Sequence, residues 1–158
     1  FWLMKAEPES RMEKGKDVKF SIDDLQACME PEPWTGVRNV VARNNMMAMK
    51  VGDLAFFYHS NTKTPGIAGI MEIVGEATVD ETAFDENDPY YDTKYQNREL
   101  PKWFHVHVEF RQKMPKYLGL PELKEHKDGK LSQMQLFKQS RLSVSKVSKE
   151  EWDFIMEL

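Results

Sequence analysis

The feature that most limits the fold is a pair of apolar runs, Leu54-Ala55-Phe56-Phe57-Tyr58-His59-Ser60 and Ile67-Ala68-Gly69-Ile70-Met71-Glu72-Ile73-Val74-Gly75, joined by a polar turn ending in Lys-Thr-Pro-Gly. Short apolar runs joined by turn residues read as adjacent antiparallel strands. Parallel neighbours need a crossover of a dozen or more residues, so a doubly wound parallel sheet does not fit. Gly69 and Gly75 predict bulges or a close backbone approach in the second run.

Three further strands are expected. Phe1 to Lys5 is a short aromatic-rich run closed by the turn Ala6-Glu7-Pro8-Glu9-Ser10. Trp103 to Phe110 alternates, with Phe104, Val106, Val108 and Phe110 on one face, and Arg141 to Ser145 is the last strand. Helices fall between them. Ser21-Ile22-Asp23-Asp24 is a capping box opening a helix to about Met29, with Ile22, Leu25 and Met29 inward. A helix over 37–49 places Val37, Val40, Val41, Asn44, Met47 and Ala48 inward. Short helices are expected at 117–125 and 134–138, and Ser148 caps a closing helix with Trp152, Ile155 and Met156 inward. Gly15 and Lys16 fall in a polar connection. The sum is an α+β chain on a curved or closed sheet, residues 1–158 forming one domain that buries about two thirds of its unfolded surface.

No apolar run approaches a bilayer span, and no stretch is laid out as a secretory signal. Cys28 is alone and forms no internal disulfide, which fits a reducing compartment. The chain starts at Phe1 rather than Met, which predicts an upstream piece. The net charge of −4 argues against a protein that coats nucleic acid non-specifically. Charge is segregated, however: eight acids and no Lys or Arg lie from Glu72 to Asp92, and nine basic residues lie from Arg111 to Lys146. A phosphate chain fits one side only.

Chemistry concentrates in Trp34-Thr35-Gly36-Val37-Arg38-Asn39-Val40-Val41-Ala42-Arg43-Asn44-Asn45, where an indole, a turn glycine, two guanidinium groups and three amides suit a flat polar ligand. With it we group Lys5, Tyr58, His59, Ser60, Asn61, Tyr91 and Arg141, at strand ends and in loops. Tyr58 and Ser60 share a face by the period of two. Other constellations carry less. His105 and His107 lack a third metal ligand and read as an exposed polar face, while Cys28 has no activating histidine. Asp53, His59 and Ser60 lack a nucleophile elbow, and Met46, Met47 and Met49 read as core filler. The acidic stretch 80–102 is long enough to be functional or mobile.

Six motifs in fixed order resemble the EVE domain family: residues 1–10, Trp34 to Asn39 with Ala42-Arg43-Asn44, Phe56 to Asn61, Pro65 to Gly69, Asp88 to Asp92, and Arg141 to Val144. The resemblance implies a PUA-like fold, a barrel-like mixed sheet with peripheral short helices, related to the YTH domains that read methylated adenine in RNA. It implies a non-enzymatic reader of a modified base, a modified cytosine in DNA for the eukaryotic branch, without cofactor, metal or membrane, acting as a nuclear monomer. By likeness to the YTH pattern, Trp34 is a cage wall and Lys5 and Ala6 line the base edge through their backbone. Ser60 and Asn61 then lie at the rim, and Arg141 meets a phosphate. Arg38, Asn39, Tyr58, His59 and Ser143 complete the expected ligand set, with Tyr91 placed as second wall from its loop position. Leu142 stands where YTH domains carry an acid, and Val40-Val41 replaces a polar-aromatic pair common in EVE sequences. Two other readings are an enzyme acting on a modified nucleotide through His59 with Asp53 or Lys5, and a protein-interaction module using the acidic loop from Asp80 to Asp92.

Overall fold

A computed structural model describes residues 1–158. Six strands form one mixed sheet: β1 (Trp2–Ala6), β4 (Glu32–Pro33), β5 (Leu54–His59), β6 (Gly66–Val79), β7 (Phe104–Gly119) and β8 (Val144–Lys146), in the order β4-β7-β6-β5-β1-β8. Only β1 and β5 pair in parallel, so the antiparallel hairpin β5–β6 stands as expected. The sheet is not closed into a barrel; β4 and β8 are its edges. Register shifts in the β6–β7 pairing fall beside Gly69 and Gly75, and such bulges strengthen the local twist that curves the sheet. A separate two-stranded ribbon, β2 (Met12–Glu13) with β3 (Lys16–Asp17), turns through Lys14 and Gly15, both at positive φ.

Helices cover both faces: α1 (Ile22–Ala27), α2 (Val40–Ala48), α3 (Leu120–Lys124), α4 (Gln135–Lys138) and α5 (Lys149–Met156), with a 3-10 turn at Glu81–Phe84. Strand alternation divides the core. Trp2, Met4, Phe57 and Met71 join Trp34 under α1 and α2, whereas Leu3, Phe56, Tyr58 and Ile70 join Trp152 under α5.

The capping boxes at Ser21 and Ser148 form as the sequence predicts. The buried faces partly differ. Asn39 is extended and caps α2 through the Ala42 amide, so the helix starts at Val40 and its inward residues are Ala42, Asn45 and Met46, followed by Met49 beyond its end. Val40, Val41, Asn44, Met47 and Ala48 face outward. Burial of Asn45 is compensated by its amide, which donates to Val144 O at 2.9 Å. Helix α1 ends at Ala27, leaving Met29 97% exposed, and Met156 lies on the outer side of α5. Strand β7 continues to Gly119, so the helix expected from 117 begins at Leu120. Residues 141–143 precede β8 rather than forming its first half.

Candidate nucleic-acid interface

Two prolines at alternate positions, Pro31 and Pro33, keep the chain extended before Trp34. Pro33 is tolerated in β4 because that strand is an edge. Strand β4 pairs Glu32 with Val108 and Pro33 with His107, and the Trp34 amide adds a bond to Val106 O at 2.8 Å. The chain then reverses at Gly36, whose φ is +87°, with its amide donating to Asp80 Oδ2 at 2.9 Å. Trp34 is only 7% exposed, yet the residue lines a cavity of about 590 Å³. Its ring neighbours Phe20 and Phe57 lie at 78° and 85° to it, so neither is stacked flat on the indole.

The cavity floor comes from the end of β1 and the residues beyond β5. Lys5 N–H donates to Ser143 O, and Ser60 N–H donates to Ala6 O, each at 2.8 Å, drawing Lys5, Ala6, Ser60 and Ser143 to one place on the wall. Ser60 Oγ also reaches Ala6 O at 3.3 Å. Lys5 Nζ donates to Ser140 O at 2.7 Å, and burial lowers its pKa. Arg141 is exposed at the same margin. The opposite margin is the β2–β3 ribbon and its flanks. There Arg11 is held by Glu7 at 2.9 Å and by Glu13, and the Arg11 guanidinium draws the Glu7 carboxyl below its usual range against an opposing effect of burial. Lys16 and Lys19 add positive charge on this side.

Of the residues expected in the site, Lys5, Ala6, Trp34, Ser60, Arg141 and Ser143 line this cavity, and Arg38, Asn39, Tyr58, His59, Asn61 and Tyr91 do not. Tyr58 lies in the opposite core, where burial pushes its phenol up to about 12. It shares no face with Ser60 because β5 ends at His59 and Asn61 turns through φ +53°, so the alternation stops before the serine. Asn61 is exposed and donates to Glu7 Oε1 at 2.7 Å. His59 Nε2 accepts the Ile22 amide at the start of α1. Asn39 caps α2. Arg38 turns away from the cavity to Asp80, Thr82 and the Tyr90 carbonyl. Arg43 and Asn44 bond each other, and Arg43 also donates to Lys102 O. The stretch 34–45 is therefore rich in polar groups mainly because it ties loops together.

Tyr90, not Tyr91, lines the cavity, beside the Trp34 loop. Its ring lies against Gly36 so closely that a Cβ there would come within 2.6 Å of Tyr90 Cδ2. Burial raises the Tyr90 pKa, keeping the phenol neutral. Two neighbouring tyrosines in an irregular loop carry no periodicity that separates them; the glycine before Val37 was the available signal. Phe20 and Arg11 were also missed, since both sit in short polar segments without a pattern.

The acidic stretch 80–102 is built from acids used as turn formers. Asp85, Asp88 and Asp92 each accept amides two residues on, Asp92 also takes the Trp103 indole N–H at 2.7 Å, and Asp80 is fully buried beside Arg38. His105 and His107 have ring centroids 5.0 Å apart, and no cluster of three metal-ligating side chains surrounds them. Cys28 ends α1, and burial, with Glu32 adding to it, raises its pKa and so disfavours the thiolate.

The EVE domain family profile matches residues 1–158. Human thymocyte nuclear protein 1 is 50% identical over 166 residues, covering 99% of this chain and 72% of that protein. The crystal structure of human THYN1 protein in complex with 5-methylcytosine-containing DNA superposes with a TM-score of 0.94 at 49% identity, over 99% of this chain and 95% of that one. A protein from Pseudomonas putida superposes with a TM-score of 0.86 at 40% identity, over 99% of both chains. With its α+β, PUA-like fold and full-length match, the chain belongs to the EVE domain family.

Proposed function

We propose that this protein is a non-enzymatic DNA-binding reader that takes one modified base, a modified cytosine, into the cavity beside Trp34. The observation that carries the reading is an indole wall on a 590 Å³ cavity, within the roughly 300–1,000 Å³ typical of small-ligand sites, in a chain whose fold matches a protein crystallised with 5-methylcytosine-containing DNA. A base in a duplex cannot reach such a cavity without leaving the stack, so the bound base is flipped or unpaired.

Trp34 and Tyr90 form the aromatic walls in this reading, with stacking contributing about 1–3 kcal/mol per base. A base methyl adds apolar contact at roughly 25 cal/mol per Å², so the preference for a modified base is modest. Cytosine presents an amino donor at its reading edge. The Ser60 hydroxyl, which donates to Ala6 O, keeps lone pairs free to accept from that amino group, and Ser143 lies beside it. Because Lys5 N–H and Ala6 C=O are already paired, the serine side chains take a larger share of the reading than the backbone does. Arg141, Lys16 and Lys19 at the margins face the phosphates flanking the base. The nuclear setting follows from the relative named thymocyte nuclear protein 1.

A titration panel tests this: DNA and RNA oligonucleotides, with and without a single modified cytosine, against wild type, Trp34→Phe and Tyr90→Ala. The modified DNA is expected to bind best to wild type, with Tyr90→Ala losing the preference. Equal binding of all oligonucleotides by the wild type would refute the reading. Unchanged ligand after prolonged incubation separates a reader from an enzyme working through His59.

A further inference from the structure

Beside the Trp34 and Tyr90 loops lies an ion pair that does not line the cavity. Asp80 has no exposed side-chain surface, and Arg38 is only 20% exposed. Asp80 Oδ2 accepts Arg38 Nη1 at 2.9 Å and the Gly36 amide at 2.9 Å, while Oδ1 accepts the Thr82 amide at 3.0 Å and its hydroxyl at 2.5 Å. Arg38 donates onward from Nε to Tyr90 O at 2.8 Å, from Nη2 to Thr82 Oγ1 at 3.1 Å and from Nη1 to Val37 O at 3.1 Å. One guanidinium and one carboxylate therefore join three segments: the Trp34 loop, the 3-10 turn at Glu81–Phe84 and the loop that carries Tyr90.

We propose that Arg38 and Asp80 are positioning residues that fix the gap between the Trp34 and Tyr90 walls and thereby set selectivity for a flat modified base. This rests on the reader function above. Two observations favour it over a purely stabilising role. Buried ion pairs are weak contributors to net stability, since desolvation offsets most of their attraction. The cluster also bonds the cavity-lining residues Gly36, Val37 and Tyr90, together with Thr82 of the 3-10 turn, and none of these partners lies on a strand of the central sheet. A planar fork holds several partners in one fixed geometry, and it is the tie that reaches Tyr90 itself; the other outside ties of the loop from Asp85 to Asp92 fall at its ends, from Lys14 to Glu86 O, from the Asp92 amide to Ala83 O and from the Trp103 indole to Asp92.

Arg38→Lys is the diagnostic variant. It keeps a positive charge for Asp80 but has no fork to reach Tyr90 O and Thr82 at the same time. Thr82→Val is the second, removing the hydroxyl that both accepts from Arg38 and donates to Asp80 while keeping the side-chain shape. For each, binding to matched modified and unmodified DNA is measured, along with amide hydrogen exchange. Arg38→Lys is expected to weaken modified-DNA binding about tenfold and unmodified-DNA binding by less than about twofold, the tenfold loss being the size expected for one charge-assisted bond. Exchange at Gly36, Tyr91 and Asp92 is expected to quicken while that of β1, β5 and β6 stays slow. Thr82→Val is expected to move the same readouts in the same direction by less. Wild-type selectivity in both variants overturns the proposal, and so does faster exchange spread through the central sheet, which marks the pair as a fold-stabilising contact. If the wild type itself shows no preference for modified DNA, the reader function fails, and the exchange pattern still decides whether the pair holds the walls.

Discussion

Trp34 and Trp152 are nearly equally hidden, 7% and 6% exposed, on opposite faces of the same sheet, and they are put to different use. Trp152 stacks on two rings, the buried Phe56 at 3.9 Å and 16° and the exposed Phe1 at 4.5 Å and 19°. Trp34 meets Phe20 and Phe57 near right angles and borders a cavity instead. Two equally buried indoles thus differ in the orientation of their neighbours, and that difference is what the proposed reader function draws on. Offset-stacked and edge-to-face contacts are of similar strength, so the Trp34 arrangement costs little stability relative to a stacked one.

The largest effect expected from this contrast is on stability. Trp152→Ala removes a doubly stacked ring and is expected to lower unfolding free energy by about 3–5 kcal/mol, measured by denaturant titration, without changing the ratio of modified to unmodified DNA binding in the folded fraction. Trp34→Phe keeps an aromatic in place, so it is expected to lose far less stability and to lower that ratio. The contrast breaks if Trp152→Ala alters selectivity or if Trp34→Phe leaves it untouched.

A second comparison sets Gly36 against Gly52, which have similar left-handed φ values of +87° and +98°. Nothing lies within 4 Å of a Cβ at Gly52, so Gly52→Ala bears only the backbone cost, about 1–2 kcal/mol. Gly36→Ala bears the same cost and also drives its Cβ into the Tyr90 ring. It is expected to be the more destabilising by thermal melting and to lose modified-base selectivity, which Gly52→Ala keeps. Smaller again is the effect of Arg141→Ala at the exposed margin. It is expected to weaken modified and unmodified DNA alike and to reduce the slope of log affinity against log salt by about 0.9, one phosphate contact.

How much of this was legible in the residues follows the same divide. Strands β1, β5 and β6 show as apolar runs bounded by turn residues, and the capping boxes at Ser21 and Ser148 fix two helix starts to the residue. The cavity lining was legible where a residue adjoins a strand end, as with Lys5 and Ser60, because strand pairing carries such residues to one edge; Ala6 and Ser143 came only with the family resemblance. It was not legible where loops meet. Arg38 looks like a ligand residue from its neighbours Trp34 and Asn39, and only the approach of Asp80, forty-two positions away, turns it inward. Tyr91 and Tyr90 differ by one position in a segment whose path is set by aspartate turns, for which no period exists. Likewise the α2 stripe was misread by a residue because the Asn39 cap, invisible in a hydrophobic pattern, sets where the helix begins.

Acid sensitivity gives the smallest expected difference between the two faces, and the one that tests whether the Trp34 side is the less robust. His59 lies edge-on to Phe57 with centroids 5.6 Å apart, and Phe57 is in turn edge-on to Trp34, so the imidazole belongs to the Trp34 side. Its Nε2 accepts the Ile22 amide at 3.1 Å, a bond available only to the neutral ring. Burial lowers the His59 pKa, opposed in part by the Asp23 carboxylate. The unfolded chain therefore binds more protons than the folded one below the ordinary histidine value of about 6.5. The stability held by neutral His59 is complete above that pH and is lost as pH falls through the depressed folded value. His105 is shifted the same way by burial, against an opposing effect of Asp80, so it adds to the slope in the same window. His59→Gln, which keeps an acceptor for Ile22 without titrating there, is expected to flatten part of the acid limb of stability against pH, and His105→Gln another part. Hydrogen exchange adds the location: on lowering pH through this window, the Ile22 amide is expected to exchange faster before the amides of α5 beside Trp152 do. Simultaneous loss of protection on both faces would mean that the sheet couples them into one cooperative unit, and that the difference between the two tryptophans is one of ring geometry alone.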